Sequence, residues 1–116
     1  MERIGRKIWS QQAMRVVFGE AARADLDERV AVSIQEFEIA TTAVTFERLN
    51  AHIEFVIANH PRTGRYNRNG DYWEAWVPRA PFIVIYRFNE SVAQLTVVAI
   101  FHHAQDRSKY KPTSDK

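Results

Sequence analysis

PFIVIYRFNESVAQLTVVAIFHH, residues Pro81–His103, is the stretch that decides the fold. Phe82 to Phe88 is apolar at every position but Arg87, as a central strand covered on both faces requires. Asn89-Glu90-Ser91 supplies a turn, and Gln94 to His103 makes a longer strand rich in Val, Leu, Ile and Thr. A connection this short makes the pair antiparallel. Upstream, Tyr72 to Val77 alternates in the strand manner, with Trp73, Ala75 and Val77 on one side. The three runs form an antiparallel meander. A fourth strand lies near the start, where Met14-Arg15-Val16-Val17-Phe18 is a short β-branched run closed by Gly19.

Between the first strand and the meander the apolar period changes. Leu26, Val30, Ile34 and Phe37 recur at spacings of four, four and three, one face of a helix, with Arg23, Asp27, Glu28, Gln35 and Glu36 on the other. Ile39-Ala40-Thr41-Thr42 reads as the link, either threonine serving as N-cap. Phe46, Leu49, Ile53, Val56 and Ile57 mark a second helix, ended by Pro61 and Gly64. Two amphipathic helices with a short link form an antiparallel hairpin whose apolar faces need a partner. The order is β-α-α-β-β-β: an α+β domain with a helical hairpin packed on a small, mostly antiparallel sheet of residues 15–18, 72–77, 82–88 and 94–103. Leu26, Val30, Ile34, Phe46, Leu49, Ile53, Val84 and Val97 are its expected core.

The 116 residues suit one domain, and 46% apolar with 26% charged residues is globular rather than disordered composition. Residues 1–13 read as an N-terminal extension with Met14 a candidate initiator, 14–107 as the domain, and 108–116 as a basic flexible tail. The absence of cysteine excludes disulfides, thiolate metal sites and a thiol nucleophile. The longest apolar run, Phe82–Tyr86, is far short of the roughly 20 residues of a membrane helix, and Arg6, Lys7 and Ser10 break up the apolar residues of the N-terminus. A cytoplasmic protein without membrane contact is expected. Charge is unevenly spread. Residues 15–60 hold four arginines against eight acids, residues 61–104 five arginines against three acids, and every lysine lies toward the two ends. The acidic first half does not invite a phosphate backbone; the second half and the tail do.

Four segments carry a resemblance. Ala21-Ala22-Arg23-Ala24-Asp25-Leu26-Asp27-Glu28 resembles the opening helix of the RelE/ParE toxin superfamily. His60-Pro61-Arg62-Thr63-Gly64-Arg65 is similar to its Pro-x-x-Gly-Arg loop, Phe82–Arg87 to its strand ending in Tyr-Arg, and His102-His103-Ala104-Gln105-Asp106 to its closing His-x-Ala-Gln-Asp signature. The likeness runs from about Met14 to Arg107. It implies the toxin of a type II toxin–antitoxin system, a plasmid stabilisation protein neutralised by a cognate antitoxin that wraps it. RelE-like branches cut messenger RNA on the ribosome; ParE-like branches poison DNA gyrase.

Cleavage of RNA needs a base for the 2′-hydroxyl, an acid for the leaving oxygen and a cation for the phosphorane. His102, His103, Tyr86, Glu74, Arg65, Arg79 and Arg87 are the candidates, with His102, His103, Tyr86 and Arg87 the set for an RNase. Neighbours on a strand face opposite ways, which separates His102 from His103 and Tyr86 from Arg87. The resemblance also implies, for an RNase, a basic residue within the second or third strand; Trp73–Val77 and Phe82–Ile85 have none. A ParE-like toxin that poisons gyrase by binding is therefore the expectation, with contacts through Arg65, Arg79, Arg87 and Arg107 and His102 or His103 at the rim. The alternatives are a RelE-like nuclease with ribosome and mRNA as targets, or a degenerate member that pairs with an antitoxin and poisons nothing. Trp73 and Trp76, three apart, face opposite sides and read as packing, and one of His102 and His103 reads as structural. His52 and His60 are too far apart for a ligand pair; no metal or cofactor is expected. Two helices cover one face of a sheet, so an apolar groove is expected on the domain for an antitoxin segment, a homodimer interface being the competing use.

Overall fold

The computed structural model describes residues 13–36, 38–102 and 110. Strand β1, Arg15–Phe18, leads through Gly19 into helix α1, Glu20–Glu36; helix α2, Ile39–Ala51, continues through a π-helical turn at His52–Ile57. A 3-10 turn at Pro61–Thr63 precedes strands β2, Arg65–Asn67, β3, Tyr72–Trp76, β4, Phe82–Asn89, and β5, Gln94–His102. The sheet order is β1-β5-β4-β3-β2. The meander pairs antiparallel as expected, and β1 returns to pair parallel with β5, Val16 beside Leu95 and Phe18 beside Val97.

The helices cover one face of this sheet. Phe46, Leu49, Ile53 and Ile57 of the second helical element meet Ala75, Val84, Tyr86, Leu95, Val97 and Ile100, all buried. On β4 these residues alternate with Ile83 and Ile85, which belong to a second cluster on the opposite face with Tyr72 and Ala99. An apolar run covered on both faces is what the sequence of β4 demanded. In β5 the register shifts between Ile85–Ala99 and Tyr86–Val97, a bulge at Val98 that turns Val98 and Ala99 both toward the second cluster.

Three expectations need correction. The sheet has a fifth strand, β2, in the stretch read as a loop: Arg65 and Tyr66 pair with Glu74 and Trp73. Helix α2 begins at Ile39 after Glu38, so neither threonine caps it; Thr42 is buried and its hydroxyl bonds Ser33 of α1 at 2.8 Å, which ties the hairpin together. Ile34 is 46% exposed, and Leu26 and Val30 are only partly buried. At roughly 1.5 Å per residue α1 is about 25 Å long. Its second turn already lies beside Ile100, near the end of β5, so its last turns run past the sheet. Phe37 lies outside the described residues.

Candidate functional site

The face of the sheet turned away from the helices is the candidate site. β2 to β5 place Arg65, Glu74, Ile85 and Ala99 in one row across it, and Trp76, Ile83 and Phe101 in another. Arg87 and Thr96 pair on the same face. Ile83 and Ile85 are fully buried there, and Tyr110 packs over this cluster: its ring meets Phe101 at 4.9 Å and Tyr72 at 5.6 Å, both edge-on. Burial, with Tyr72 nearby, pushes the Tyr110 phenol up to about 12; Arg87 works against the shift and Asp25 with it, so the hydroxyl lies within electrostatic reach of both. It is a hydrogen-bond donor at neutral pH, not a base.

Beside this covered half the face opens into a groove of about 790 Å³. Its floor is Arg87, Thr96 and Val98, one wall is Ala21 and Ala24 of α1, and Val92 stands at the other side. Small residues at the start of α1 make the space, since bulkier side chains at 21 and 24 would fill it. Asp25 closes the sheet edge at its end: beyond β1 the edge of β5 has no partner strand among the described residues, and the Ile100 amide donates to Asp25 Oδ2 at 3.1 Å.

Arg87 has a second task. Its Nε donates to the Asp71 carbonyl at 2.7 Å and one terminal nitrogen to the Gly70 carbonyl at 3.2 Å. It thereby clamps the β2–β3 turn, where Asp71 sits at φ 56° and accepts from the Tyr66 hydroxyl at 2.7 Å. The carboxylate of Asp71 raises the Tyr66 phenol. Planar guanidinium geometry serves two carbonyls at once, which an ammonium matches poorly.

No protein-family model matches the sequence, and no curated protein matches it. Among solved structures the chain is similar to one from the toxin–antitoxin complex RelBE2 of Mycobacterium tuberculosis, with a TM-score of 0.55 and 18% identity over 80% of this chain and 94% of that one. The fold is RelE-like.

On this RelE-like frame the sequence candidates separate. Arg65 and Arg87 share the open face. Tyr86 faces the helices, fully buried; its hydroxyl donates to the Pro61 carbonyl at 2.7 Å and accepts from the Gly64 amide at 3.2 Å. Burial pushes this phenol up to about 12, against the Gly64 bond. His102, opposite Phe82, is also on the helix side, so β5 keeps it away from Arg87. Arg79 occupies the β3–β4 turn at φ 59°, its carbonyl taken by Arg48, roughly 17 Å along β4 from Arg87. Glu74 is buried on the open face beside Arg65. His103 and Arg107 lie outside the described residues. Tyr110 and Asp25 are the residues that sequence reasoning passed over. An isolated aromatic in the polar stretch SKYKPTSDK was the available signal for Tyr110; an acid in a helix gave none for Asp25. Among the described residues no group of three or more His, Asp or Glu could hold a metal, and no helix is long and apolar enough to cross a membrane.

Proposed function

We propose that this chain is the cytoplasmic toxin of a type II toxin–antitoxin pair, ParE-like in action: it poisons DNA gyrase by binding and is silenced when an antitoxin segment fills the groove on the open face. The observation that carries this reading is the groove itself, a mainly apolar trough lined by one cation, Arg87, already engaged by two backbone carbonyls, and one acid, Glu20. Such a trough suits an extended or helical peptide with apolar side chains and an acidic group for Arg87. Arg65, Arg87 and Arg107 are the target contacts we assign, with Arg79 at the far end of the meander. Charge-assisted contacts of this kind give speed and orientation and weaken with salt.

A second reading, a ribosome-dependent mRNA endonuclease, is favoured by one observation: Arg65, Arg87 and Tyr110 belong to one face, a pair of cations and a phenolic donor of the type that steadies a phosphorane. Induction in cells separates the two. Gyrase poisoning raises the DNA-damage response, and the purified protein inhibits supercoiling or traps cleaved DNA. An immediate halt in translation, with cuts inside ribosome-bound messages, establishes the nuclease instead; Tyr110→Phe or Arg87→Ala then lowers cleavage about 100-fold.

A further inference from the structure

We infer that the outer face of α2, centred on Phe55, is a docking site for a basic amphipathic helix of another protein. Phe55 is 68% exposed, and Val44, three turns earlier on the same helical element, is 44% exposed. Both belong to the element whose other side, Phe46, Leu49, Ile53 and Ile57, is buried in the core. Eleven positions, close to three turns and about 16 Å, separate residues 44 and 55, so they stand at the two ends of one stripe with Arg48 and Ala51 between them.

A second observation falls at the same place. The helix changes to π geometry over His52–Ile57, with the Ala58 amide reaching the Ile53 carbonyl. The wider turn keeps Ile53 and Ile57 in the core while Glu54 and Phe55 stay outside. π turns are rare inserts that gather at functional positions. The Phe55 carbonyl is held by the Asn59 side chain at 2.9 Å, which fixes the backbone beneath the exposed ring.

Charge selects the partner. Residues 20–57 hold eight acids and three arginines. Glu47 and Glu54 are exposed beside the stripe, Arg48 turns to the Arg79 carbonyl, and burial lowers His52. This face repels a nucleic acid, and a symmetric pair of copies joined through it would set acidic hairpins against each other. A helix with apolar residues along one side and lysine or arginine at its flanks satisfies both the stripe and the acids. The site is separate from the groove of the proposed antitoxin segment and does not depend on that reading.

The test uses the full chain and a labelled amphipathic helical peptide of leucine and lysine, followed by fluorescence anisotropy at low salt. Saturable binding is expected, at least about tenfold weaker for Phe55→Ser and for Glu47→Lys with Glu54→Lys. A leucine–glutamate peptide should not bind. These positions are exposed, so unchanged melting curves confirm that the variants fold. No binding to the wild type, equal binding to the variants, or equal binding of the acidic peptide overturns the proposal. So does a wild-type dimer in light scattering that Phe55→Ser dissolves, since the occupant is then a second copy.

Discussion

Tyr86→Phe removes one oxygen from a fully buried ring and leaves its packing in place. That oxygen serves two backbone groups, the Pro61 carbonyl and the Gly64 amide, and so fastens the turn after α2 to the centre of the sheet. A buried hydrogen bond contributes about 1 kcal/mol net, and each backbone group left without a partner adds a desolvation penalty of similar size, so the variant should lose about 2–3 kcal/mol. Urea unfolding followed by far-UV circular dichroism measures this as a lower midpoint at unchanged slope. The pH dependence has a definite sign. The folded state holds the Tyr86 proton more tightly than the unfolded chain, because its phenol is pushed from 10 up to about 12. Its contribution is therefore intact below about pH 10 and is lost as pH rises through about 12. Tyr110 titrates in the same window, so Tyr86→Phe should remove part of the alkaline loss and leave the rest. On the proposed toxin reading, the remaining folded protein should keep its toxicity per molecule. Stability within 0.5 kcal/mol of wild type together with abolished toxicity refutes the structural role and makes the hydroxyl a reacting group.

Gly64→Ala should be costly, about 1–3 kcal/mol by thermal or urea unfolding, because the new methyl would stand 2.5 Å from the Glu74 carbonyl oxygen and 2.6 Å from the Tyr86 hydroxyl. Ala93→Gly should stabilise by about 1 kcal/mol, since Ala93 sits at φ 52° in the β4–β5 turn; an unchanged melting temperature contradicts this. Arg87→Ala should speed amide exchange in residues 68–71 and weaken partner binding together, while Arg87→Lys should restore less of the first than of the second.

The meander was legible because β4 and β5 are short apolar runs flanking a turn, a pattern with few other uses. The helices were legible by period, but α1 shows how period misleads. Ile34 continues the stripe of Leu26 and Val30, yet it lies beyond the end of the sheet, and nothing in a repeat of four announces where the neighbouring layer stops. β2 was hidden because three residues of mixed polarity, Arg65-Tyr66-Asn67, owe their strand geometry to β3 rather than to their own preference. The site was legible only in part. Alternation alone separates Arg87 from Tyr86. That Arg87 spends its donors on Gly70 and Asp71, and that Tyr110 seats against Tyr72 and Phe101, depends on contacts between segments distant in sequence.

Growth after induction tests the central claim most directly. The chain is expressed alone, then with the protein encoded beside its gene, and then as Ala24→Trp with that same partner. We predict arrest by the chain alone, rescue by the partner, and arrest without rescue for Ala24→Trp, whose indole takes the α1 side of the groove and leaves Arg65 and Arg87 on the sheet unchanged. Unimpaired growth on induction of a folded wild-type protein contradicts the toxin assignment, and full rescue of Ala24→Trp contradicts the groove as the seat of silencing.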